Sequence, residues 1–156
     1  MELSLNLITH LTPKTTSQEL FDYIASFLLK QGKQSRTPGG GGSCVYRGPN
    51  GLMCAAGCVI PDEFYDPRME GEDINAVLEG KLQTKGPQRR FWKALGKHEG
   101  LLAELQAIHD GAYVRYKPKE TRQSWLNELR MLAHNHRLVF DESLAELAGR
   151  EIETGP

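Results

Sequence analysis

The sequence predicts an α+β fold, a mainly helical single domain over residues 1–156 with one small β-hairpin. Three observations predict it. Apolar residues recur at helical spacing in a succession of stretches. Asn50-Gly51 lies between two short apolar runs, as a hairpin turn does. No repeat or composition boundary splits the 156 residues into two cores, and a chain of this length buries a sizeable core by itself.

Each element follows in order from local chemistry. Leu3, Leu5 and Leu7 alternate ahead of Pro13, which predicts a short edge strand or docking arm over residues 1–15. Thr16-Ser17-Gln18-Glu19 matches a capping box, and Leu20, Phe21, Ile24, Phe27 and Leu28 form one apolar stripe, so a helix runs from there to Gly32. Residues 33–43 end in the glycines Gly39 to Gly42 and predict a flexible loop. That loop follows a helix and lacks a GK[ST] signature, which argues against a phosphate cradle. The hairpin is predicted from Ser43–Arg47 and Leu52–Ala55, joined by Gly48-Pro49-Asn50-Gly51. Pro61 followed by Asp62 and Glu63 suits a short helix start, ended near Tyr65 by Pro67. Further helices are predicted around Ile74, Val77 and Leu78, with Gly80 to close them, and around Phe91, Trp92 and Leu95. Another spans His98 to Ile108, before Asp110-Gly111. A later one covers Glu120 to His134 on Trp125, Leu126, Leu129 and Leu132, and a last one is capped by Asp141.

Composition narrows the function. With 39% hydrophobic and 25% charged residues the chain is neither disordered nor membrane-spanning, and its N-terminus lacks a basic leader pattern, which predicts a cytoplasmic protein without a membrane partner. A net charge of −1 argues against a general nucleic-acid coat. The charge is nevertheless segregated. Asp62, Glu63, Asp66, Glu70, Glu72 and Asp73 stand against Arg68 alone, whereas Lys81, Lys85, Arg89, Arg90, Lys93 and Lys97 occur with no acid between them. Two readings follow: the segments are solvated or pair with each other, or they offer an acidic and a basic patch to partners. Phe91 and Trp92 among the cations would suit base stacking, but their spacing fits a helix docked on a core better.

The three cysteines exclude a complete internal disulfide set. Cys44, Cys54 and Cys58 are expected as buried thiols. One alternative is a zinc site on these sulfurs completed by His10, His98, His109, His134 or His136, although no CxxC pair is present. The other is a nucleophilic Cys58 near a helix start, with His109 beside Asp110, His134 or His136 as its base.

The block CVYRGPNGLMCAAGCVIPDEFYDPRMEG, with the later Leu105 to Asp110, resembles a segment of small uncharacterised bacteriophage and prophage proteins. The resemblance implies no activity. It implies a setting in which proteins act on host machinery by stoichiometric binding. The expectation is therefore a phage-derived accessory protein, possible as a counter-defence inhibitor, that binds a host protein and needs no cofactor. Its contact residues are expected among Arg47, Asn50, Asp62, Glu63, Asp66, Glu70, Arg89 and Arg90. The alternative is a small zinc-binding or cysteine-dependent enzyme centred on Cys44, Cys54 and Cys58.

Overall fold

Helices carry the fold in the computed structural model, which describes residues 11–38, 44–111 and 121–147. They are α1 (Ser17–Gln31), α2 (Ile74–Lys81), α3 (Gly86–Gly96), α4 (Glu99–Asp110) and α5 (Thr121–Asn135). Residues 143–147 add a final helical turn. No helix among the described residues is long and apolar enough to cross a membrane. The glycine run and residues 1–10 of the expected N-terminal strand or arm lie outside the described residues, and residues 11–15 form no strand.

The helix ends form where the capping chemistry places them. The Thr16 side chain accepts from the Glu19 backbone N–H while the Glu19 carboxylate accepts from Thr16 N–H, closing the capping box of α1. Gly32 (φ +68°) ends that helix in the left-handed conformation, and Arg122 of α5 lies against it, donating to the carbonyls of Leu29 and Lys30. Asp73 caps α2 through Ala76 N–H.

Packing then centres on α4, which contacts α1, α2 and α5, while α3 lies against α2. Leu101, Leu102, Leu105 and Ile108 of α4 join Leu20, Phe21, Ile24 and Leu28 of α1 and Trp125, Leu126 and Leu129 of α5 in one apolar cluster. Stripes at helical spacing meet in it, as the sequence implies.

The β part of the prediction is corrected: the fold is helical rather than α+β. Among the described residues there is no β-strand and hence no hairpin, only the isolated bridges Arg47 to Met53 and Arg36 to Cys44. The turn itself forms, with Asn50 and Gly51 at φ +58° and +77° and Gly48 N–H bonded to Leu52 O. Side chains from elsewhere then intercept the ladder. The Glu70 carboxylate accepts from Tyr46 N–H and Arg47 N–H, and the Gln31 carboxamide both accepts from Met53 N–H and donates to Met53 O. Freed from pairing, the chain winds into 3₁₀ turns at Pro49–Gly51, Gly57–Val59, Asp62–Phe64 and Pro67–Met69. The third replaces the short helix expected after Pro61.

Gly57 marks the tightest point of this winding. A Cβ there would sit 2.3 Å from the Tyr46 carbonyl oxygen, whereas a Cβ on Gly96, in α3, would meet nothing. Gly57→Ala is therefore expected to lower stability by about 1–3 kcal/mol or more through overpacking. Gly96→Ala should raise it by about 0.5–1 kcal/mol through helix propensity. Urea denaturation of both variants checks the contrast, and an unchanged midpoint for Gly57→Ala would contradict the close approach.

Candidate functional site

Arg47 and Glu70, two of the residues expected to meet a partner, are consumed by the fold. The Arg47 guanidinium donates to the carbonyls of Gly57 and Ile60, pairs with Asp62 at 3.1 Å and lies over the Tyr65 ring at 4.9 Å. Its side chain is 19% exposed. Glu70 accepts from Tyr65 Oη at 2.7 Å as well as from the two backbone N–H groups. Charge-assisted bonds of this kind hold the 3₁₀ turns together. Asp66 is drawn onto Arg68, which holds its carboxyl well below the usual range. Of the acidic segment, Glu63, Glu72 and Asp73 are exposed, as is the Asp62 carboxylate outside its contact with Arg47. Asn50 is exposed at the tip of its turn, where its left-handed backbone explains the residue type.

The sulfurs lie in the opposite kind of environment. Cys58 is buried in its 3₁₀ turn and donates to Ala55 O, while Cys54 Sγ accepts from Gly57 N–H. Burial pushes the Cys54 thiol up to about 12 and Cys58 well above its ordinary value. Cys44 is half-buried. Burial first, then the charge and hydrogen bond of Asp110, raise it to about 11. A thiolate nucleophile needs the reverse shift.

The three sulfurs do not converge on one point. Among the described residues, the side chains close enough to share an ion are Cys44, His109 and Asp110, whose donor atoms lie within 4.8 Å of one another. His109 is fully buried and stacks on Trp125 at 5.6 Å. Ser35 N–H donates to its Nε2 at 2.9 Å, so the ring proton resides on Nδ1 and points to Asp110 Oδ1 at 2.8 Å. Gln106 donates to the same oxygen. Zinc on Nδ1 would move that proton to Nε2, facing a second donor, so these residues suit a hydrogen-bond chain better than a metal. His109 thereby anchors Ser35, in the segment that follows α1. This anchoring also holds residues 33–38: Gln34 donates to His109 O, and Val45 N–H to Ser35 O.

Two further histidines serve the scaffold. His98 contacts Ser17 Oγ and Thr15 O at the start of α1, His136 contacts the Glu104 carboxylate, and His134 is exposed at the end of α5. His10 lies outside the described residues.

The basic face is open, as are Glu63 and Glu72 of the acidic segment, among the described residues. Arg89, Arg90 and Lys93 on the outer face of α3, and Lys97 at its C-cap, are exposed, while the inner face buries Phe91, Trp92, Ala94 and Leu95. No ion pair among the described residues joins these cations to the acidic segment or to any other carboxylate. Base stacking by Phe91 and Trp92 is removed, because both rings are core and touch each other at 5.0 Å.

Compared with known proteins, the chain matches no protein-family model, no curated protein and no solved structure.

Two measurements follow from the thiols. Disulfide-exchange labelling at neutral pH should leave Cys54 and Cys58 untouched until the chain is unfolded, and rapid labelling of Cys58 would contradict its burial. Cys44 and Cys54, ordinarily at 9.0, are raised to about 11 and 12, and Tyr23, ordinarily at 10.0, is raised by burial to about 12. Groups raised on folding hold their protons more tightly in the native state, so their stabilisation is complete below about pH 9 and is lost as pH rises toward 12. The urea midpoint should stay level through pH 8 and fall above pH 9, less steeply in Cys54→Ala.

Proposed function

We propose that this chain is a phage-derived, non-catalytic binding protein that modulates a bacterial host protein by docking the basic face of α3 on an acidic patch. The observation that carries the reading is the row Arg89, Arg90, Lys93 and Lys97, exposed and without an ion pair among the described residues. Unpaired cations on a rigid helix steer association and select an anionic counterpart. The phage setting rests on the sequence resemblance alone.

A protein partner fits better than a nucleic acid. The net charge is −1, the aromatic rings beside the cations are buried, and the exposed carboxylates Glu79 and Glu99 flank the same face. Among the described residues no raised thiol has a histidine as its hydrogen-bond partner, which favours binding over cysteine-dependent catalysis.

The test is affinity capture from bacterial lysate with the wild-type chain and the double variant Arg89→Glu, Arg90→Glu, with and without nuclease. Wild type should retain a protein in stoichiometric amount that the double variant loses at least tenfold, unaffected by nuclease. Equal capture by both chains would overturn the reading. So would retention that vanishes with nuclease.

A further inference from the structure

Where α4 meets the start of α1, three residues stand in the order that activates a serine. The His98 ring places Nε2 at 3.0 Å from Thr15 O and Nδ1 at 3.1 Å from Ser17 Oγ. A carbonyl oxygen only accepts, so Nε2 carries the ring proton of the neutral imidazole. Nδ1 is then the free acceptor, and the Ser17 hydroxyl donates to it. A hydroxyl bonded to a histidine that a third group orients is the arrangement of an activated nucleophile.

Each member is held by backbone. The Thr15 carbonyl belongs to a closed turn, in which Thr15 N–H donates to Thr12 O and Thr12 N–H donates to Thr15 Oγ1. His98 sits at the junction of α3 and α4, where its own N–H donates to Leu95 O and its carbonyl accepts from Leu102 N–H. Ser17 opens α1 behind the Thr16 capping box. The bond to Thr15 braces the two helices. The bond to Ser17 lies in solvent, where it adds little to folding, and Ser17 itself is exposed, as a nucleophile has to be.

We infer that Ser17 is a nucleophilic serine that accepts one acyl group from an activated ester, with His98 as its general base and the Thr15 carbonyl as the group that orients the base. As Ser17 Oγ bonds the acyl carbon, its proton passes to His98 Nδ1. The bond from that carbon to the leaving oxygen then breaks, and the leaving alkoxide takes the proton from the imidazolium. Imidazole is the side chain suited to hold a proton in this way near neutrality. The N–H groups of Ser17 and Gln18 donate to no acceptor among the described residues, so donors are at hand for the charge that develops on the acyl oxygen. The acyl group remains on the protein, and the site is independent of the docking face on α3.

The experiment treats the full chain with p-nitrophenyl acetate at neutral pH, follows release of p-nitrophenolate, and locates the acetyl group by peptide mass spectrometry. Acetylation of Ser17 is the expected result, absent in Ser17→Ala and slowed about a hundredfold in His98→Gln, the low end of what a positioned base contributes. Glutamine keeps a donor for Thr15 O and an acceptor for the Ser17 hydroxyl but takes no proton, so circular dichroism of that variant should match wild type. A native chain left unmodified at Ser17 would overturn the inference, as would equal rates in wild type and a folded His98→Gln. So would acetylation of Ser17 at the same rate in the urea-unfolded wild-type chain, a comparison that needs no variant to fold. Release continuing beyond one equivalent, and lost in Ser17→Ala, would make the pair hydrolytic and overturn the stoichiometric acceptor as well.

Discussion

Residues 54–60 are buried outside any α-helix or strand, with the single 3₁₀ turn Gly57–Val59 among them, and the rest of the molecule is arranged around that fact. A buried backbone outside regular structure has donors and acceptors with no ladder to meet, and each one left unmet costs about 1–3 kcal/mol. The helices supply what a sheet would have supplied. Gln31 of α1 takes Met53, Gln106 of α4 takes Ala56 N–H, and Arg47 takes the carbonyls of Gly57 and Ile60. Gln18 repeats the device at the far end, exchanging two hydrogen bonds with the backbone of Val139. A carboxamide mimics one residue of a neighbouring strand, because it presents one donor and one acceptor side by side.

This constraint also settles the chemistry of the interior. Cys54 and Cys58 sit in the coil that the glutamines stabilise, where burial holds their protons in place and hydrogen bonds to Gly57 and Ala55 use the sulfurs. His109 has its Nε2 occupied by Ser35 N–H and its Nδ1 by Asp110, so a ring that looks poised for acid–base work is a bracket between α4 and the loop after α1. Arg47 and Glu70 are committed in the same way. Residue types associated with active sites are here spent on backbone that lacks secondary structure.

The helices were legible because their signal is local. The capping box at Thr16, the αL glycines Gly32 and Gly111, and the stripes through Leu105 and Leu129 operate within a few residues, and the observed ends fall close to the expected ones. The hairpin failed for the complementary reason. Its turn chemistry at Asn50-Gly51 was read correctly, but pairing of the flanking runs was decided by Gln31, 22 residues away, and by Glu70. Nothing in a single sequence tells which distant carboxamide will reach a given N–H. For the same reason Arg47 and Glu70 read as exposed contacts, whereas Arg89 and Arg90 are exposed because helical phase turns them away from the buried Phe91 and Leu95.

The fate of the two charged segments follows from the same division between irregular and regular backbone. In the coil from Asp62 to Asp73, four of six carboxylates find work: Asp62 on Arg47, Asp66 on Arg68, Glu70 on three donors, and Asp73 on the first turn of α2, while Glu63 and Glu72 have no ion pair among the described residues. In α3 the backbone is satisfied by the helix itself, so the side chains of Arg89, Arg90, Lys93 and Lys97 have no internal task. Like charges at this spacing weaken an isolated helix by a few tenths of a kcal/mol per pair, and Gly96 weakens it further. The helix is held despite both, through Phe91, Trp92 and Leu95 in the core. A helix whose buried face supplies its stability can keep an outer face that works against it, and that outer face is where a selective role has room to reside.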